Sequence, residues 1–233
     1  MRKVFAGIAA VLALGAFSTV SAEMSVGGGG FFAGNFGGGV DGEVSVSAGG
    51  QSVNMTMDVK MPNVGGGVYG FFDVEYAELS VGLFLGGGAW EVEAKAAGQS
   101  NKQKIGDLST VELDLGLLLK YPVALSGSMT VFPAAGINYQ LCTSAKMNDT
   151  EADEPGDLSR VWIKFGAGGD FYLSEKLFIR PVLLYGIGLE NKMEKDYRDM
   201  INSQLQSALG ASPNVDTKLS HGLTVKVGVG FKL

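Results

Sequence analysis

Eight separate segments of this chain alternate at period two, and few folds can use such a pattern. Each segment carries apolar residues on one face and glycine, small or charged residues on the other. The segment with Leu113, Leu115, Leu117 and Leu119 sets them against Glu112, Asp114, Gly116 and Lys120. The last segment sets Leu223, Val225, Val227, Val229 and Phe231 against Thr224, Lys226, Gly228, Gly230 and Lys232. The others begin near Met24, Val64, Leu79, Met129, Val161 and Leu177. After residue 22 no stretch supplies the roughly 20 consecutive apolar residues of a membrane helix, whereas each alternating segment can cross a bilayer as a tilted strand. An even count of eight is what a single-chain bacterial barrel requires.

The start of the chain predicts a secretory signal. Arg2 and Lys3 precede an apolar run from Val4 to Phe17, and Val20 and Ala22 are the small residues that signal peptidase reads. Residues 1–22 are therefore expected to be removed, leaving residues 23–233 as one barrel domain. The mature chain then carries 16 basic residues, the 18 total less Arg2 and Lys3, against 24 acidic ones, a charge of −8. This excess of acid excludes nucleic acid as the expected partner. Cys142 is the only cysteine and His221 the only histidine, so neither a disulfide nor a zinc site is expected, and no cofactor is called for.

Alternation alone permits two opposite objects. A soluble barrel turns its aliphatic face inward, and a membrane barrel turns it outward. Three features point to the membrane barrel. Glycine, at 36 residues, dominates the non-aliphatic face, where a solvated strand would favour Thr, Lys and Glu. Aromatic residues collect at two levels, Tyr76, Tyr121, Phe171 and Phe231 at one and Phe36, Tyr139 and Tyr185 at the other, as expected for two membrane interfaces. The aliphatic face carries almost no charge.

Connections alternate in length. Short turns fall near Tyr76, Pro122 and Leu173, and long segments span 37–63, 95–106, 143–158 and 191–218. Outer-membrane barrels keep short turns in the periplasm and long loops outside, so both termini are expected in the periplasm. Pro133 and Pro181 fall inside strands and predict bulges there. The fourth long loop predicts a helix, with Tyr197, Ile201, Leu205 and Leu209 on one stripe, Asn191 and Glu194 as a capping box, and Gly210 and Pro213 as its end.

The eight strands and the closing run Val225-Lys226-Val227-Gly228-Val229-Gly230-Phe231-Lys232-Leu233 resemble the small outer-membrane barrels of the outer-membrane protein W, outer-membrane protein X and opacity-protein groups. The resemblance covers the whole mature chain but is architectural. It implies an all-β, up-and-down transmembrane barrel in contact with outer-membrane lipid. It also implies recognition of the final strand by barrel-assembly machinery, although these families usually end in Phe and this chain ends in Leu233.

Two groups of inward residues are candidate functional positions. Glu112, Asp114, Lys164 and Lys226 fall near mid-depth and are expected to form a charge network filling the lumen, because eight strands leave room for little besides side chains. Trp90 and Trp162, with Phe31, Phe84 and Leu184, are expected nearer the outer mouth and could form an apolar pocket or simply pack beneath the loops. Resemblance to the outer-membrane protein W group implies uptake of small hydrophobic molecules through such a pocket. An enzymatic reading fails: His221 resembles the membrane-facing histidine of lipid A deacylases, but Leu223 stands where their serine would, and Ser220 points inward. Two classes stay open: a barrel that binds or passes small hydrophobic compounds, and a surface barrel that meets a host molecule or stabilises the envelope through its loops.

Overall fold

The alternating segments do become strands, because period two places every apolar residue of a segment on one side of a sheet. The computed structural model describes residues 23–36, 38–48, 51–96, 99–209 and 214–233, so the signal segment 1–22 and the helix-ending Gly210 and Pro213 lie outside the described residues. Eight long strands close a ring: β1 (Met24–Phe36), β4 (Asn63–Val74), β5 (Ala77–Ala96), β6 (Gln99–Lys120), β8 (Met129–Met147), β10 (Arg160–Tyr172), β11 (Leu177–Gly188) and β13 (Ser220–Lys232). Every neighbour is antiparallel. The ring shuts where β1 meets β13, with Gly29 opposite Gly228 and Phe31 opposite Lys226. The first and last described residues of the ring lie at the short-turn end, where the Leu233 N–H donates to the Met24 carbonyl at 2.9 Å.

At the other end, all four long connections carry structure that their sequence concealed. The first connection, expected as a loop, is a hairpin of β2 (Gly39–Ala48) and β3 (Gln51–Lys60). The second is not a separate loop, because β5 and β6 continue past the ring as a paired ribbon. Strand β3 adds to the edge of that ribbon, from Met55 opposite Ala96 to Lys60 opposite Glu91. Strand β12 (Asn214–Lys218), from the last connection, adds to β2. Two further strands, β7 (Val123–Ser126) and β9 (Thr150–Glu151), are short additions along β8. The expected helix is α1 (Lys192–Leu209), packed on β2 and β12. Its Tyr197 and Ile201 join Val40, Val59, Met61 and Val215 in a small core above the ring.

Polarity in the ring is inverted relative to a water-soluble protein. Outward Val68, Leu85 and Leu119 are 65%, 57% and 57% exposed, while inward Asp73 and Arg180 are 2% and 1% exposed. Glycine turns inward, as the alternation indicated, and the structure supplies the reason. Rings from one strand lie across glycines of the next, as Phe71 does over Gly27, Phe178 over Gly230 and Phe132 over Gly168. A methyl group on Gly168 would sit 2.6 Å from the Phe132 ring. The lumen is thus tiled by flat side chains that need bare backbone beneath them.

The expected proline bulges are absent. Pro133 holds register opposite Ala167, and its carbonyl accepts from Tyr121 N–H, just past the last residue of β6. A residue in an antiparallel ladder turns N and O toward the same neighbour, so the donor that Pro133 lacks would have met only the frayed end of β6. Pro181 also keeps register, and the β10–β11 pairing simply skips Gly169 and Asp170. Register shifts occur elsewhere, beside Trp90 on β5 and between Val111 and Glu112 on β6.

Candidate functional site

From the short-turn end upward, the first layer inside the ring is a knot of five charged side chains. Arg180 of β11 donates from Nε and Nη2 to the two Asp170 oxygens at 2.6 and 2.8 Å. Its Nη1 lies 2.5 Å from Asp73 Oδ2 and 2.8 Å from Glu78 Oε2. Lys120 also pairs with Asp73. The guanidinium is then enclosed by Phe71, Phe132 and Phe178, with ring centroids 4.8, 5.4 and 4.9 Å away. Such a cluster persists in a low-dielectric interior only because each charge meets its opposite in hydrogen-bonding geometry. Asp73, Lys120, Asp170 and Arg180 share the inward parity of their strands, whereas Glu78 lies beside the short turn near Tyr76. Strand β5 begins one residue before it, at Ala77, and alternation from Ser80 and Gly82 would have put Glu78 inward.

The expected mid-depth network takes a different form. Glu112, Asp114, Lys164 and Lys226 all face the lumen and are 7%, 3%, 5% and 3% exposed. They do not form ion pairs with one another within 4.0 Å. One oxygen of each acid meets neutral donors instead: Glu112 Oε1 accepts from Asn63 and Thr110, each at 2.8 Å, and Asp114 Oδ1 from Asn138 at 2.8 Å. Lys226 rests over the Tyr69 ring at 4.9 Å.

Above this level is a chamber with a cavity of about 60 Å³. Of the five residues expected to form an apolar pocket, Trp90, Trp162 and Phe84 line it. Phe31 instead packs below, stacked on Phe84 and edge-on to Tyr69, and Leu184 packs with Leu118, Phe132 and Val182. The lining is also more polar than expected, with Asn63, Glu112, Gln140, Arg160 and Lys164 among it. Trp162 Nε1 is held by Gln140 Oε1.

The chamber is roofed by the first turn of α1. Asn191 Oδ1 accepts from Glu194 N–H at 2.8 Å, and Glu194 Oε2 accepts from Asn191 N–H at 3.2 Å, the reciprocal capping box expected from the sequence. The second oxygen of Glu194 reaches down to Arg160 Nη2 at 2.6 Å. Outside, Lys192 Nζ meets Asp157 at 2.8 Å and Glu154 at 3.3 Å, tying α1 to the third connection. Hydrogen bonds that it donates to Asp157 and then Glu154 hold the Lys192 ammonium above its ordinary pKa. On the outer wall Tyr185 Oη and His221 Nδ1 are 2.6 Å apart, facing away from the lumen, while Ser220 is fully buried.

A ring of eight antiparallel strands, polar within and apolar without, is the class of protein that these elements define. No protein-family model matches the sequence, and no curated protein matches it either. Among solved structures the chain is similar to the outer membrane protein OprG from Pseudomonas aeruginosa, at 12% identity and TM-score 0.39, covering 91% of this chain and 96% of that one. It is also similar to Ail, the attachment invasion locus protein of Yersinia pestis, solved with the heparin analogue sucrose octasulfate. That likeness has 11% identity and TM-score 0.36 over 91% of this chain and 99% of that one. A third is the N-terminal β-barrel domain of Pseudomonas aeruginosa OprF, at 15% identity and TM-score 0.29 over 89% and 99%. At such scores no function is taken from them.

Proposed function

We propose that this chain is an integral outer-membrane β-barrel whose lumen is closed and whose work is done by the structured cap at its long-loop end. The termini then face the periplasm, the cap faces outward, and the exposed aliphatic belt meets lipid. The final strand is the natural point of contact for barrel-assembly machinery. The observation that supports the closed-lumen reading is the Arg180 knot, where five buried charges and three aromatic rings pack together at one level of the lumen. Outward placement of the cap gives β2, β3, β12 and α1 an interaction role, with a host surface molecule as the partner class.

Reconstitution in planar bilayers tests the first part: the protein should give no stepwise conductance, and a steady single-channel current would overturn the closed-lumen reading. Whole cells displaying the protein test the second. Binding to host cells should depend on the chain and be lost when residues 191–218 are replaced by a short Gly/Ser linker. Equal binding with and without the cap would sink it. The chamber beneath α1 supports a second reading, binding of a small molecule, because both tryptophans line one cavity. Trp162→Ala should weaken any such binding.

A further inference from the structure

The chamber beneath α1 presents charged donors with nothing to donate to. Lys164 is 5% exposed, and among the described residues it makes no hydrogen bond and has no carboxylate within 4.0 Å. Arg160, 7% exposed, spends Nη2 on Glu194, but its Nη1 is buried without a partner. The indole Nε1 of Trp90 is likewise buried and unpartnered. All three residues line the same cavity. A buried cation or N–H left unmatched is costly, so such a group is normally met by protein, water or ligand.

None of the acidic groups nearby comes within 4.0 Å of Lys164. Glu194 is divided between Arg160 and its own helix cap, and Glu112 accepts from Thr110 and Asn63. Three buried oxygens nearby also lack partners, Asn35 Oδ1, Asn63 Oδ1 and Ser220 Oγ, but all three are neutral. The charged donors therefore decide the class of ligand.

We infer that this chamber binds a short-chain monocarboxylate, with its oxygens on Lys164 and Arg160 and its alkyl end against Phe84, Leu108 and Trp162. Size sets the chain length. One buried water needs at least roughly 10–15 Å³ of such space, so about 60 Å³ suits a small ligand of a few non-hydrogen atoms. Acetate is of that size. Charge sets the valence. Arg160, Lys164 and Lys226 balance Glu112, Asp114 and Glu194 in this upper part of the lumen, so a monoanion adds one negative charge there and a dianion two. This inference goes beyond the surface role proposed above and does not depend on it.

The chain's only two tryptophans both line the chamber, so its intrinsic fluorescence reports on the site directly. Full-length protein in detergent micelles is titrated with sodium acetate, propionate and hexanoate against sodium chloride at constant ionic strength. Acetate and propionate should give a saturable change that chloride and hexanoate do not. Lys164→Met should weaken acetate at least tenfold, and Lys164→Arg should restore most of the response. Leu108→Phe, which fills the cavity without removing a charge, should abolish it in a chain that still unfolds cooperatively. Absence of any saturable response, equal response to hexanoate or chloride, or unchanged affinity in folded Lys164→Met or Leu108→Phe would each overturn the proposal and leave a merely hydrated chamber.

Discussion

Glu194, with no exposed surface, extends from the first turn of α1 into the barrel mouth and accepts a 2.6 Å hydrogen bond from Arg160 Nη2 on β10. One carboxylate thus caps its own helix and fastens that helix to the ring. Removing one partner of a buried pair typically costs about 3–5 kcal/mol, because the other charge stays buried without compensation. Glu194→Leu and Arg160→Met should each detach α1 while leaving the ring intact. Hydrogen exchange of the α1 amides should accelerate strongly, with ring amides unchanged. The double variant should recover most of the protection, since a matched apolar pair is often as stable as the ion pair it replaces. Additive losses in the double variant would show that the two residues act separately.

The Arg180 knot makes a second prediction. Arg180→Met removes one of two cations from a buried group of three acids, Asp73, Glu78 and Asp170. The ring should lose on the order of 3–5 kcal/mol against urea in lipid vesicles. Arg180→Lys should recover only part of it, since an ammonium cannot hold Asp170 through two parallel hydrogen bonds. Full recovery by lysine would mean that charge alone matters.

The ring was legible because period two is written into every strand and because glycine marked the inner face. The capping box was legible at Asn191 and Glu194, since its partners lie three residues apart. What stayed hidden were relationships between distant segments. Val40 and Val59 belong to a hairpin whose alternation is present in the sequence, but the expectation of long external loops masked it. The buried partner of Glu194 could not be read at all, because Arg160 is 34 residues away and joined to it only by the fold. Phe31 and Leu184 shared inward parity with Trp90 and Trp162, but parity gives a side and not a height. They accordingly sit in layers below the chamber.

In the cap, Lys218 bridges two strands, with Nζ 3.0 Å from Asp58 Oδ1 and 3.4 Å from Asp41 Oδ2. Partial burial opposes its charge, but the hydrogen bond to Asp58 and the two nearby carboxylates outweigh this and raise its pKa. A base whose folded-state pKa is raised stabilises fully below its unfolded value, about 10.4 for lysine, and the gain is lost as pH rises through the folded value. The side chain is 37% exposed, so screening limits the effect to within about 1 kcal/mol. Trp90 packs on the same cluster as Val215 of β12, so its emission in a Trp162→Phe background follows the cap. Urea resistance of that signal should be flat from pH 7 to about 10 and fall above it. Lys218→Met should show the loss already at neutral pH. An alkaline fall of equal size in the variant would assign it to other groups.

The tiling of rings over glycines makes the last prediction. Phe132 lies across Gly168, and any Cβ there meets the ring at 2.6 Å, with the Pro181 carbonyl 3.0 Å away on the other side. Neither neighbour can retreat easily. Phe132 is 2% exposed and wedged against Leu118, Val182 and Leu184, with Arg180 over its face. Gly168→Val should therefore destabilise the ring by about 1–3 kcal/mol, the usual cost of overpacking. Phe132→Leu alone should also destabilise, by loss of ring contacts. If crowding is the cause, the double variant Gly168→Val with Phe132→Leu should be more stable than the sum of the two single losses predicts, by an interaction of about 0.5–3 kcal/mol. Urea unfolding in lipid vesicles measures all four chains. Strict additivity would place the role of Gly168 in its backbone and not in the space it leaves for the ring.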